Sequence, residues 1–207
     1  MTGRFISIEG GEGAGKSTQA RALVDALAAR GIDAIATREP GGTQGAESIR
    51  ALLMTGGEER WSAVVEALLF AAARADHVER LIRPALEREQ WVICDRFIDS
   101  TRAYQGGAGG LSDADILAVH RAGTGGLLPD RTLLLETPPE MAAARANARA
   151  SDEPDRMGSK GAAYYQRVAA RFAEMAEAEP GRFCRIDASG TPAAVTARLI
   201  ASLEDWL

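Results

Sequence analysis

Short apolar runs alternate along this chain with longer stretches in which apolar residues recur every three or four positions. Phe5-Ile6-Ser7-Ile8 reads as a buried strand. Beyond a Gly-rich stretch, Ala20, Leu23, Val24 and Leu27 mark one face of a helix that Gly31 is placed to end. Residues 32–36 form the second strand candidate, and the turn Glu39-Pro40-Gly41-Gly42 follows. Helical patterns cover 46–54 and 62–89, the latter kinked or divided at Pro84. Trp91-Val92-Ile93-Cys94 is the third strand, with Asp95-Arg96 at its carboxyl end. A polar, Gly-rich stretch then runs to Gly110, and Ser112 reads as the N-cap of a helix through Arg121. Thr132-Leu133-Leu134-Leu135 is the fourth strand, and Pro138-Pro139-Glu140 opens a helix that breaks up near Ala150. A polar loop at 151–155, a helix at 164–178, a fifth strand at 183–186 and a last helix from about Pro192 complete the order. Strands alternating with helices predict an α/β fold, a five-stranded parallel sheet with helices on both faces and right-handed crossovers. The absence of repeats and linkers predicts one domain over residues 1–207.

Composition narrows the function classes. A hydrophobic fraction of 46% supplies a core, and a charged fraction of 26% is ordinary for a globular chain. No stretch approaches the roughly 18 consecutive apolar residues of a membrane span. The N-terminus runs straight into a strand without a secretory signal, so a cytoplasmic location and no membrane partner are expected. The net charge of −5 argues against nucleic acid as the main partner. Cys94 and Cys184 sit in apolar, strand-like settings and read as buried thiols. Without a clustered histidine they cannot make a metal site. His77 and His120 lie far apart on helical patterns and read as ordinary surface or core residues.

The strongest chemical signal is Gly10-Gly11-Glu12-Gly13-Ala14-Gly15-Lys16-Ser17, followed by Thr18. It matches G-x-x-x-x-G-K-[ST] directly after a strand and directly before a helix, as a phosphate loop requires. Its glycines let the backbone wrap an anion, and its N–H groups and the helix N-terminus point at a β-phosphate. Lys16 reaches the β- and γ-phosphates, and the Ser17 hydroxyl can ligate Mg²⁺. These features imply binding of ATP or another nucleoside triphosphate with Mg²⁺. A GTP switch would carry N-K-x-D, which is absent, and a D-x-x-G segment, which is not found in the expected place after a core strand. A small-molecule kinase needs a second pocket and cations around the transferred group.

The later motifs fit that requirement. In order, they are Ile8-Glu9-Gly10 running into the loop, Thr37-Arg38-Glu39-Pro40-Gly41-Gly42-Thr43, Leu69-Phe70-Ala71-Ala72-Ala73-Arg74, Asp95-Arg96-Phe97, and Ser100-Thr101-Arg102-Ala103-Tyr104-Gln105-Gly106. An arginine-rich stretch runs from Arg145 to Arg156. Along nearly its whole length the sequence resembles the thymidylate kinases. The resemblance implies a P-loop kinase fold with a small lid at about 145–160. It also implies transfer of the γ-phosphoryl group of ATP to dTMP in dTTP synthesis, and a homodimer. The Ala- and Leu-rich segment 63–73 is a candidate for the dimer interface. Alternatives are another nucleoside-monophosphate kinase and a non-catalytic P-loop switch.

The resemblance also assigns roles. Phe70 and Arg74, four apart on one helix face, would stack on thymine and donate to its carbonyl. Arg38 and Arg96 would clamp the acceptor phosphate, since a planar guanidinium meets phosphate oxygens bidentately. Thr101 would bond the pyrimidine edge, Tyr104 would crowd the sugar 2′ position, and Gln105 would support that loop. Glu12 would meet the sugar 3′-hydroxyl, and Asp95 would orient Arg96 or hold a Mg²⁺ water. Position 13 is glycine, so a catalytic arginine is expected from the lid, with Arg149 and Arg156 as candidates and Arg145 a third. The acceptor nucleophile is an already ionised phosphate oxygen, so no general base is required. Catalysis then reduces to positioning and charge stabilisation by Lys16, Mg²⁺, Arg96 and a lid arginine.

Overall fold

The structure, a computed structural model, describes residues 2–138, 140–142 and 160–207. Five strands form where apolar runs were read: β1 (Phe5–Gly10), β2 (Ala34–Arg38), β3 (Trp91–Asp95), β4 (Arg131–Glu136) and β5 (Phe183–Asp187). Among the described residues they make one parallel sheet in the order β2-β3-β1-β4-β5. The period of two sends Ile6, Ile8, Ile93 and Leu133 to one face, and Phe5, Val92 and Cys94 to the other. The central strands β1 and β3 are buried along their whole length, while the edge strand β2 is partly exposed.

Eight α-helices are described: α1 (Lys16–Ala28), α2 (Gln44–Met54), α3 (Ala63–His77), α4 (Arg83–Glu87), α5 (Ile98–Thr101), α6 (Asp113–Thr124), α7 (Ala162–Ala178) and α8 (Pro192–Ala201). Helices α1 and α8 cover one face through Leu23, Leu27 and Leu199, joined by Leu203, two residues beyond α8. The opposite face is covered by Val78, Ile82, Ala85, Ile98 and Ile116. A third cluster joins Tyr104 to Val168, Phe172 and Met175 of α7. Each fully buried Leu or Ile contributes about 1.5–3 kcal/mol, which fixes these layers more firmly than helix propensity does. The Ser112 side chain caps α6 as expected, accepting from Asp115 N at 3.1 Å.

Four local expectations change. The second strand begins two residues later than the apolar run, because pairing with β3 runs from Ala34↔Trp91 to Arg38↔Asp95. Ile32 becomes a buried residue of the α1 face instead. The 62–89 stretch divides ahead of Pro84, through a π-helical segment at Val78–Ile82. Proline cannot donate to the preceding turn and its ring crowds that turn's carbonyl, so Pro84 is accepted only in the first turn of α4. The Gly-rich stretch before Gly110 is helical, as α5 and a π-helical segment at Arg102–Ala108. Its glycines serve packing: a Cβ on Gly107 would lie 2.6 Å from Arg171 Cβ of α7. Cys94 is buried, but Cys184, on the edge strand β5, is only half-buried. The chain is helical at 140–142, and the expected break near Ala150 and loop at 151–155 lie outside the described residues.

The sheet order positions the site. β1 and β3 are neighbours; the connection from β1 runs past β3 to β2, and that from β3 runs past β1 to β4, so crossovers leave these two adjacent carboxyl ends in opposite directions. Ligands of open α/β sheets bind in the crevice that this divergence leaves.

Candidate active site

One wall of the crevice is the loop between β1 and α1. Gly10 has φ +138°, and a Cβ there would lie 2.6 Å from the Leu135 carbonyl oxygen of β4. Gly13 has φ +73°, and a Cβ there would run into the Ala142 carbonyl oxygen. Only glycine serves at either place, and the backbone N–H groups stay uncovered. Ala14 turns into the core, while Gly11, Ser17 and Thr18 are exposed. Lys16 opens α1, and its Nζ donates to the carbonyls of Gly10 at 3.1 Å and Gly11 at 2.7 Å. Burial, then repulsion from Arg96, pulls its ammonium down to about 8. Ser17 Oγ donates to Asp95 Oδ2. Asp95 Oδ1 is buried with no hydrogen-bond partner among the described residues. A hydroxyl beside a carboxylate with an unspent oxygen suits a hard divalent cation. Among the described residues no cluster of three or more His, Cys, Asp or Glu could hold a metal ion, so its other ligands would be phosphate oxygens and water.

The facing wall comes from β2, α3, the turn after β3 and the segment that follows it. A cavity of about 270 Å³ is lined by Arg38, Phe70, Arg74, Arg96, Thr101, Tyr104 and Gln105 together with Glu12, Gly13, Gly15, Lys16, Ser17 and Asp95. All seven residues read from the sequence as acceptor-facing side chains beyond the loop therefore share one space with the phosphate loop. Gly10, Gly11, Ala14 and Thr18 belong to the loop but do not line that cavity.

Buried electrostatics fix this wall. Arg74 is 2% exposed; its Nε donates to Glu39 Oε2 at 2.7 Å and its Nη2 to Thr101 Oγ1 at 2.9 Å. The other Glu39 oxygen lies 3.1 Å from His77 Nδ1, and His77 Nε2 lies 2.7 Å from Thr37 Oγ1. His77 is thus part of a polar network behind the cavity rather than an ordinary core residue. Arg38 ends β2, is more than half exposed and pairs with Glu47 at 3.0 Å. Glu47 also accepts from Gly42 N at 3.0 Å, which leads in holding its carboxyl below the usual range. Gln105 is buried and donates to Glu66 Oε2 at 2.9 Å.

The carboxylate in the phosphate loop finds its partner here. Glu12 pairs with Arg96 Nη2, and the Tyr104 hydroxyl lies 3.5 Å from Glu12 Oε1. The Arg96 guanidinium sits 5.0 Å from the Tyr104 ring centroid, within cation–π range. Burial pushes the Tyr104 phenol up to about 12. Arg96 itself has φ +69°, a sparsely populated conformation for a residue with a Cβ.

Some site residues escaped the sequence reading. Arg50 lines the cavity and donates to Pro40 O at 2.8 Å. Glu39, which also lines the cavity, and Glu9, which does not, are buried carboxylates. The available signal for Glu9 was a charge in an otherwise apolar central strand. Arg145, Arg149 and Arg156 lie outside the described residues.

A parallel sheet whose crossovers diverge between β1 and β3, a strand–glycine loop–helix unit and a cationic second pocket facing it define a P-loop kinase fold. Comparison with known proteins makes the assignment specific. The family model described as "Thymidylate kinase" matches residues 8–199. The chain is 56% identical to a thymidylate kinase of Rhizorhabdus wittichii over 207 residues, covering 100% of both chains. It is 52% identical to one of Caulobacter vibrioides over 197 residues, covering 95% of this chain and 94% of that one. The crystal structure of the thymidylate kinase from Ehrlichia chaffeensis superposes with a TM-score of 0.81 at 30% identity, covering 99% of this chain and 100% of that chain. The chain belongs to the thymidylate kinase family.

Proposed function

We propose that the chain transfers the γ-phosphoryl group of ATP to dTMP, giving ADP and dTDP. The observation that carries this reading is the single cavity shared by the phosphate loop and the arginine-lined acceptor wall. In this reading the loop backbone and Lys16 hold the ATP phosphates. Ser17 and Asp95 hold a Mg²⁺, which when bound offsets phosphate charge. Phe70 stacks on the thymine, Arg74 and Thr101 meet its polar edge, and Gln105 supports them. Arg38 and Arg96 hold the acceptor phosphate. Tyr104 closes the 2′ side of the sugar, and Glu12 faces its 3′-hydroxyl. Arg149 or Arg156 completes the charge around the transferring group from a lid at about 145–160.

Residues 1–207 form one domain in this proposal, and two copies associate through α3. Val64 and Leu68 on that helix, 52% and 51% exposed, support the association. Light scattering of Leu68→Glu beside the parent chain tests it. Among the described residues no helix is long and apolar enough to cross a membrane, which fits the expected cytoplasmic site of action.

A coupled ADP-release assay with Mg-ATP and dTMP, dUMP, UMP, dCMP, AMP and GMP tests the reaction. Strong turnover with dTMP, less with dUMP and almost none with UMP is expected. Preference for another monophosphate would overturn the acceptor assignment. ATP consumption indifferent to every acceptor would remove the protein from the kinases.

A further inference from the structure

Arg96 reaches Glu12 on one wall and Ser100 on the other, yet its backbone conformation is sparsely populated. Something must hold it. Its backbone N–H donates to Ile8 O of β1 at 3.0 Å, which fixes one side of the turn. The next N–H, that of Phe97, donates to Glu9 Oε1 at 2.7 Å. The other carboxylate oxygen, Glu9 Oε2, accepts from Ser100 Oγ at 2.6 Å. Ser100 Oγ in turn lies 3.1 Å from Arg96 Nη1, which donates to it. One carboxylate therefore grips the turn directly behind Arg96 and, through one hydroxyl, the tip of the Arg96 side chain.

We propose that Glu9 is a positioning residue for phosphoryl transfer, holding the Arg96 backbone turn and guanidinium in register with the acceptor phosphate. This inference rests on the dTMP kinase reading above. It also accounts for a charge placed where the strand pattern calls for an apolar residue. Glu9 is 0% exposed at the end of the central strand, where an unpaired carboxylate would cost far more than Val or Ile. Its surroundings confirm the expense: burial, then the Asp99 carboxylate, raises it to about 7. A group under that penalty stabilises the native state poorly, so its value lies in the geometry it imposes. The hydroxyl link has a direction: with Ser100 donating to Glu9, its lone pairs face Arg96 and can receive the guanidinium N–H. An apolar residue or an amide at position 9 would free the Ser100 hydroxyl to turn.

The test uses the full chain, with steady-state rates and a double-mutant cycle. Glu9→Gln keeps the shape and an acceptor for Phe97, but turns an N–H towards Ser100. We expect kcat/KM for dTMP to fall about tenfold or more, as for loss of a hydrogen bond to a charged group, with KM for ATP changed less than about twofold. Combining it with Arg96→Lys, which removes the fork that meets Ser100, should add little to the loss from Arg96→Lys alone. Additive losses, or equal damage to both substrates, would overturn the inference. If Glu9→Gln does not fold, Ser100→Ala removes only the bridge, and the same cycle with Arg96→Lys decides by the same criterion. Absence of dTMP-dependent turnover in the parent chain would instead defeat the function itself, so the two failures are distinguishable.

Discussion

The two walls of the cavity are built on opposite principles. The donor wall of the proposed reaction is eight consecutive residues, Gly10 to Ser17, which would act mainly through backbone N–H groups and the start of α1. The acceptor wall gathers side chains from Arg38 to Gln105, and buried ion pairs and hydrogen bonds hold several of them. Their positive charges also differ in kind. Lys16 is an ammonium pulled down to about 8, and its protonation is conditional. Arg96, with Tyr104, Glu12 and Asp95 around it, is pushed further into its charged form despite burial. One wall is a local geometry with an adjustable charge. The other is a long-range construction with fixed charges.

If the acceptor wall depends on its buried pairs, cutting one should damage stability and dTMP use together. Glu39→Gln leaves Arg74 buried beside a neutral partner, and removing one member of such a pair costs about 3–5 kcal/mol. Denaturant unfolding should show that loss, and KM for dTMP should rise while KM for ATP holds. A stable variant with unchanged dTMP kinetics would mean the pair is incidental. The donor wall should fail differently. Lys16→Ala should lower kcat about 10²–10³-fold, the scale for removing one preorganised donor at a developing charge. Its affinity for dTMP, measured by calorimetry, should be preserved. A parallel loss of dTMP binding would show that the walls are not separable.

Phe70→Ala probes the least polar contact of the acceptor wall. Base–aromatic stacking is worth about 1–3 kcal/mol, so KM for dTMP should rise about 5- to 150-fold and KM for ATP far less. Equal effects on both would remove Phe70 from the acceptor side.

The same contrast explains what could be read without coordinates. The phosphate loop was legible because its function is written in consecutive residues between a strand and a helix. The sheet was legible because its apolar runs are short and evenly interrupted. The acceptor side chains were reached through resemblance, and the supports beneath them were not. Nothing in the segment around Glu39 announces that its carboxylate divides itself between Arg74 and His77, residues 35 and 38 positions away. Gly107 looked like a loop residue because the helix that covers it, α7, is distant in sequence. Glu9 entered only as part of a motif, because its partners, Phe97 and Ser100, lie 88 and 91 positions away, after β3.

The smallest effect is the most discriminating, because it separates the two kinds of charge directly. In the proposed reaction the triphosphate binds Lys16 in its protonated form. In the ligand-free protein that proton leaves near pH 8, against 10.5 for an ordinary lysine. Above pH 8 the nucleotide must therefore bring a proton with it, and affinity should fall by up to tenfold per pH unit until the complex itself deprotonates. Stability has the opposite sign. Between about pH 8 and 10.5 the unfolded chain retains the proton that the folded chain has lost, so the penalty of burying a charged Lys16 is relieved as pH rises. Between pH 8 and 9.5, above the range in which Glu9 titrates, the acceptor wall should show neither effect, since its guanidinium groups stay charged and Tyr104 titrates only near 12. Calorimetry of a non-hydrolysable Mg-ATP analogue at pH 7 to 9.5, in buffers of different ionisation enthalpy, should reveal proton uptake of about half a proton at pH 8. Titrations with dTMP over pH 8 to 9.5 should be flat. Proton uptake on dTMP binding, or none with the ATP analogue, would show that the conditional charge sits on the other wall.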